Sequence, residues 1–173
     1  MENQALNNIL ERHSCKGYKS DPIPQEIIEQ IVEAGLKAPS GQNKQSAIII
    51  AITNKELRDK LSKMNADILN AKIDPFYGAP VVLVVLANKD MNTYLYDGSI
   101  VMENLMLAAN ALNIGSCWIH RAKEEFESEE GKKILKELGI EGNYEGIGNC
   151  ILGYPNKEAL IHPIKEGRIY YVK

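Results

Sequence analysis

Four short stretches hold the side chains that could do chemistry. In Arg12-His13-Ser14-Cys15-Lys16-Gly17-Tyr18, three cationic or potentially cationic side chains and a hydroxyl fall within five residues. Convergent Arg, Lys and Ser donors suit a phosphate; the same residue types also favour the last turn of a helix, where they complement the macrodipole and cap carbonyls. The stretch Pro39-Ser40-Gly41-Gln42-Asn43-Lys44-Gln45 is dense in amides and hydroxyls. It could contact a ligand with many acceptors, or it could be ordinary turn chemistry. A third stretch, Leu112-Asn113-Ile114-Gly115-Ser116-Cys117-Trp118-Ile119-His120-Arg121, leaves an apolar helix and carries the only Trp and a His-Arg pair. Gly115 could equally be a helix C′ residue and Trp118 core filling, and a nucleophilic Cys117 would need an activating neighbour. The fourth, Lys165-Glu166-Gly167-Arg168, reads by itself as a solvated turn.

Composition narrows what these stretches can serve. The chain has 173 residues, 45% of them hydrophobic and 25% charged, with 13 Gly, 7 Pro and 3 Cys, which fits one globular domain spanning residues 1–173. At this size a core forms without metal or disulfide staples. A net charge of −3 argues against nucleic acid or an anionic membrane as partner, so any bound anion needs a local cluster. Only four arginines, Arg12, Arg58, Arg121 and Arg168, stand beside 16 lysines, so a rigid bidentate fork is available at few places. Three cysteines (Cys15, Cys117, Cys150) without C-x-x-C spacing encode neither a zinc knot nor a disulfide framework, and a reducing, cytoplasmic setting fits them best. His13, His120 and His162 lack metal-ligand spacing, so no metal is expected. No G-x-G-x-x-G follows a strand, and neither a P-loop nor a G-x-S-x-G elbow occurs. The N-terminus is polar and helical in pattern, and no apolar run is long enough to span a bilayer.

The elements that must position these stretches follow from periodicity. Glu2 to Arg12 places Ala5, Leu6, Ile9 and Leu10 on one side of a helix. A second helix starts at Pro24, carries Ile27, Ile28, Ile31, Val32 and Leu36, and ends before Pro39. Ser46 to Thr53 and Ala79 to Ala87 read as strands buried on both faces. Between them Asn54 to Leu69 is helical, and Gly98 to Leu112 is a helix apolar on most of its circumference. A short strand at Ser116 to Ile119, a charged helix from about Glu124 to Leu138, a strand at Gly146 to Leu152 and a β-rich tail, Arg168 to Val172, complete the chain. This order predicts an α+β fold, a sheet covered by helices. The tail has no obvious local partner, so it pairs far away or with another chain.

Taken in order, these pieces resemble the nitroreductase family of flavin enzymes. The resemblance rests on Arg12-His13-Ser14-Cys15-Lys16-Gly17-Tyr18, Pro39-Ser40-Gly41-Gln42-Asn43-Lys44-Gln45, Leu112-Asn113-Ile114-Gly115-Ser116-Cys117-Trp118, Gly153-Tyr154-Pro155, and Lys165 with Arg168. It covers nearly the whole chain, from about Leu10 to Val172. Gly17, Asn113, Ile164 and the pair Ser46-Ala47 depart from the family pattern, and Asn65 to Tyr77 gives no clear match to the polar residue that the family often has near the flavin ring.

The resemblance implies a central mixed or antiparallel sheet flanked by helices, in an intertwined homodimer with an exchanged C-terminal strand and FMN at the subunit interface. It implies that Arg12, His13, Ser14 and Lys16 line the phosphate, ribityl and pyrimidine side of FMN. Lys165 and Arg168 resemble the second phosphate grip, and Pro39, Ser40, Gly41 and Asn43 would approach the ring from the other subunit. The backbone of Trp118, Ile119, His120 and Arg121 would pass the reactive edge. No side-chain acid or base is expected, since the hydride chemistry belongs to the cofactor; Lys16 would tune it electrostatically. The expected activity is hydride transfer from NADH or NADPH through flavin N5 to a nitroaromatic, quinone or related small-molecule acceptor, in ping-pong order. The alternatives are a specialised flavoprotein of the same fold, of the reductive dehalogenase or flavin-consuming type, and a non-catalytic flavin-binding or redox-sensing module.

Overall fold

The computed structural model describes residues 3–158 and 163–173, so Glu2 of the first expected helix and His162 lie outside the described residues. Among the described residues six helices surround one four-stranded sheet: α1 (Gln4–Glu11), α2 (Gln25–Leu36), β1 (Ala47–Ile52), α3 (Lys55–Leu69), β2 (Val81–Asn88), α4 (Tyr94–Ala111), β3 (Gly115–Ile119), α5 (Ala122–Glu127), α6 (Glu129–Glu137) and β4 (Tyr144–Gly153). The strand order is β1-β2-β4-β3, and every neighbouring pair is antiparallel.

Each helix starts where local chemistry allows it. Asn3 and Asn54 accept from the amides of Leu6 and Leu57, capping α1 and α3. Pro24 stands one residue ahead of α2, where its fixed φ is pre-set for the first turn. The charged segment expected as one helix is two, because Ser128 leaves the α region (ψ 159°) and its hydroxyl accepts from Gly131 N to begin α6. The apolar pattern also hid the start of α4, which runs from Tyr94 rather than Gly98, since the buried Asp97 interrupts that pattern.

The sheet separates two cores. Alternate residues of β2 (Val82, Val84, Leu86) face α3, α5 and α6 with Leu61, Phe126 and Ile134; Val81, Leu83 and Val85 face α2 and α4 with Ile28, Ile31, Met102 and Leu105. Strand β2 is buried on both faces, as its unbroken apolar run predicts. Strand β1 is not: it lies at the sheet edge, with Ile48 and Ile49 only partly covered and Ala51 exposed. Arg168–Val172 is not a strand within this chain, and Ile169, Tyr170, Tyr171 and Val172 are exposed. The apolar stripe of α1 is likewise uncovered, with Leu6, Ile9 and Leu10 all more than half exposed.

Two glycines of β4 let the chain come close where the site lies. The β2–β4 register shifts between Val85 and Leu86, which pair with Gly148 and Gly146 and leave Ile147 as a bulge. A Cβ at Gly148 would stand 2.2 Å from Trp118 Nε1, and one at Gly146 would stand 2.1 Å from the Ala122 carbonyl oxygen. The bulge thus seats the β3–α5 turn against the sheet.

Candidate functional site

The first cationic stretch is fastened to β3. Ser14 bridges Ser116 in parallel fashion, and Cys15 N donates to Ser116 O at 2.8 Å. Tyr18 bridges Pro155, its hydroxyl donating to Cys15 O at 2.7 Å. Residues 12–18 therefore run along β3 and the end of β4 as an extra, irregular edge, rather than as the last turn of α1. Burial lifts the Cys117 thiol above its ordinary range, and the Ser14 hydroxyl together with the Lys16 and Arg12 charges only partly offsets it. Buried and raised, the thiol lacks the activation a nucleophile needs, and Ser14, Lys16 and Arg12 lie near enough to act on it. Arg12 Nε makes a single long contact, 3.4 Å, to the exposed carboxylate of Glu103, an ion pair weak enough to yield to a better anion. His13 Nδ1 lies 3.1 Å from the Glu11 carbonyl oxygen.

The second stretch is built around Asp97, which pattern reading missed. Its carboxylate accepts from Gly41 N (2.9 Å), Ser46 Oγ (2.8 Å) and Thr93 Oγ1 (3.0 Å). Burial would push this carboxyl up, but those three donors hold it below the usual carboxylate range. Ser40 Oγ accepts from Gln45 N at 2.9 Å, closing the loop on itself. Gln42, Asn43 and Gln45 all adopt positive φ, 52°, 54° and 48°. Three left-handed non-glycine residues among four positions store strain that turn formation alone does not require, as is found at ligand-binding loops. Pro39, Ser40 and Asp97 line a cleft of about 400 Å³ that continues along β1 and α2 to Leu36. None of Arg12, Ser14 or Lys16 lines it, so the first stretch takes no part in that cleft.

The third stretch turns sharply after β3. Arg121 has φ 81° and starts α5, with its Nε donating to Asn65 Oδ1 at 2.9 Å. Asn65 Nδ2 donates to the His120 carbonyl oxygen at 2.8 Å and to Glu125 Oε1 at 2.5 Å. The His120 side chain is exposed and Trp118 partly so. Asn65 and Glu125 had no motif signal; each looks like one more polar residue of a charged helix until the fold buries it.

Lys165 and Arg168 stand in the exposed segment 163–173, and neither makes an ion pair or side-chain hydrogen bond with another described residue. Arg58, the remaining arginine, is structural: it donates to Asp74 Oδ2 (2.6 Å) and to the Ala79 carbonyl oxygen (2.9 Å) and stacks on Phe76. Among the described residues no cluster of three His, Cys, Asp or Glu could hold a metal, and no helix is long and apolar enough to cross a membrane.

Known proteins resemble this chain over most of its length. The nitroreductase family model matches residues 9–76 and 70–154. A protein of Archaeoglobus fulgidus named "Putative NADH dehydrogenase/NAD(P)H nitroreductase" is 34% identical over 161 residues, 90% of this chain and 87% of that protein. The structure of a nitroreductase with bound FMN from Desulfitobacterium hafniense is similar over 100% of both chains, with a TM-score of 0.90 and 29% identity. A nitroreductase with bound FMN from Bacteroides fragilis is similar over 99% of this chain and 100% of its own, with a TM-score of 0.87 and 28% identity.

Proposed function

This chain belongs to the nitroreductase family, and from that premise we propose how an FMN-dependent NAD(P)H oxidoreductase is assembled from it. It works as a single domain in an intertwined homodimer. It passes hydride from NADH or NADPH to a nitroaromatic, quinone or related small-molecule acceptor in ping-pong order. Bound FMN supplies the hydride relay through its N5. Everything else is the work of this chain's residues.

The observation that carries this reading is the Ser14–Ser116 bridge. It fixes Ser14, with Arg12 and Lys16 two residues to either side, beside β3, the strand that runs into the His120–Arg121 turn; this supports reading the donors for a phosphorylated tail and the turn for a ring edge as parts of one site. The donor set fits the cofactor: a phosphomonoester with charge near −1.5 to −2 suits Arg, Lys and Ser together. Arg12, His13, Ser14 and Lys16 hold the phosphate, ribityl and pyrimidine side, and Lys16 stabilises negative charge gained there on reduction. The backbone of Trp118, Ile119, His120 and Arg121 borders the reactive edge.

A second copy completes the site. Strand β1 has an open edge, whereas the β3 edge is already engaged by Ser14. The exposed Arg168–Val172 segment of one chain therefore adds to β1 of the other. The uncovered apolar stripe of α1 (Leu6, Ile9, Leu10) and the exposed Leu95, Tyr96 and Ile100 of α4 supply further contact surface. That exchange brings Pro39, Ser40, Gly41 and Asn43 of one chain over the ring held by the other, and Lys165 and Arg168 to the phosphate. The three buried thiols support a reducing compartment, the cytoplasm.

The Arg12→Ala, Lys165→Ala double variant tests the phosphate site, read as FMN retained through gel filtration. The expected result is near-complete loss of flavin from a folded chain; undiminished flavin content would overturn the assignment.

A further inference from the structure

Beneath the β3–α5 turn lies a buried polar network to which the proposed function assigns no role. Asn65 comes from α3, Glu125 from α5 and Asn149 from β4, and all three are fully buried. Asn149 Nδ2 donates to Glu125 Oε2 at 2.8 Å, and Asn65 Nδ2 to Glu125 Oε1 at 2.5 Å. The two amides thus clamp one carboxyl in a core otherwise made of residues such as Ile119, Phe126 and Ile151. Burying a polar trio there is costly unless its members are hydrogen-bonded, and well-packed apolar residues would often serve stability as well. What it does is visible in the remaining bonds of Asn65, which hold the His120 carbonyl oxygen and the Arg121 guanidinium. These are the two residues of the strained turn, where Arg121 sits at φ 81°.

We propose that Glu125 is a positioning residue of the reaction, fixing the His120–Arg121 turn through Asn65 and Asn149. This rests on the reading of that turn as the border of the flavin's reactive edge. With the Asn65 amide oriented by Glu125, its Nδ2 and Oδ1 are committed to His120 and Arg121 in one arrangement. A turn displaced by even an ångström would misplace the reacting atoms beside it.

The clamp has a second state. Asn149 Oδ1 is the one buried side-chain N or O without a hydrogen-bond partner among the described residues. A proton on Glu125 Oε2 would find its acceptor there once the Asn149 amide turned over, exchanging Nδ2–H···Oε2 for Oε2–H···Oδ1. Burial pushes the Glu125 carboxyl up to about 7, against the bonds from Asn149 and Asn65 and the Arg121 charge. The charged groups facing it are Arg121 in the turn and Glu124 beside it on α5; α3 and β4 present the neutral amides. Neutralising the carboxyl removes its coulombic attraction for Arg121, and through that the turn reports the proton.

The test compares the native chain with Glu125→Gln and Asn65→Ala. Three quantities are read: FMN affinity, the anaerobic rate of flavin bleaching by NADH or NADPH from pH 5.5 to 8.5, and the Arg121 Nε–Hε resonance in FMN-free protein. Glu125→Gln keeps the shape and removes the titration. We expect it to bind FMN within about threefold of the native chain, to bleach roughly tenfold more slowly, and to lose the pH inflection near 7. Its Arg121 resonance should be shifted and flat with pH, whereas the native resonance titrates. Asn65→Ala, which cuts the link while leaving the carboxyl, should slow bleaching as much and serves if Glu125→Gln fails to fold. Native bleaching rates and pH profile in both variants, or a native Arg121 resonance that ignores pH, would overturn the proposal. A native chain that binds no FMN would instead overturn the functional reading on which it rests.

Discussion

The amide of Gly41 donates to Asp97 Oδ1 at 2.9 Å, joining the strained 40–45 loop to the first turns of α4 across 56 positions of sequence. Ser46 and Thr93 complete the same acceptor. One buried carboxylate therefore sets the shape of a loop whose left-handed residues would not hold it unaided.

Asp97→Ala should accordingly loosen the loop and weaken the protein together. Three donors lose their acceptor, a change worth about 2–4 kcal/mol, which for a domain of this size lowers Tm by roughly 5–15 °C. Differential scanning calorimetry reads the loss, and FMN affinity should fall with it.

The same residue predicts an acid limit. Because the folded carboxyl is held below its ordinary range, its contribution is fully present above the unfolded value of about 3.9 and is lost as pH falls through the lower folded one. The difference in Tm between the native chain and Asp97→Ala should shrink below about pH 4 and be constant from pH 5 to 8.

Glu125 carries the opposite sign. Its carboxyl rises from 4.5 to about 7 on folding, so its contribution is complete below the unfolded value and is lost as pH rises through about 7. Glu125→Gln, which cannot ionise, should gain Tm relative to the native chain between pH 5 and pH 8. Parallel melting curves across that window would contradict the burial of an ionising carboxyl there.

Gly146→Ala and Gly148→Ala test the bulge. The added Cβ meets the Ala122 backbone at 2.1 Å in the first case and Trp118 Nε1 at 2.2 Å in the second. The first must push α5 away from the sheet, since backbone cannot rotate aside, and should cost more than about 2 kcal/mol. The second displaces a side chain and should cost less, while quenching or shifting Trp118 fluorescence.

Removing residues 168–173 should leave a chain that folds but does not dimerise, because its described residues make no strand in their own chain. Sedimentation should give a monomer, lighter than the 19.3 kDa full chain by its six missing residues, with little flavin. A dimer that retains FMN after this truncation would contradict strand exchange.

How much of this was legible in the sequence depends on where each signal lives. The helices α2 and α3 and strand β2 follow from periodicity, because each buries one face or both against the sheet. Asn113, where the family pattern has glycine, proved compatible with it: φ is 58°, a conformation Asn tolerates. The clusters around Arg12 and Pro39 were visible as residue types in order. What held them was not, since Asp97, Asn65 and Glu125 act across long stretches of chain and look locally like helix-surface polar residues. The edge position of β1 was hidden for the same reason: a β-branched run does not say how many neighbours its strand has. Nor did periodicity show that a serine at 128 would split a charged helix, although its capping chemistry was there to read.

The central claim is tested most directly by the visible spectrum of the purified protein, recorded anaerobically before and after addition of NADH and of NADPH. The account predicts flavin bands characteristic of bound FMN that bleach with at least one nucleotide and return when a quinone or nitroaromatic acceptor is added. A colourless protein that also fails to bind added FMN would contradict it, and Arg12, Ser14 and Lys16 would then be no more than the edge that covers β3.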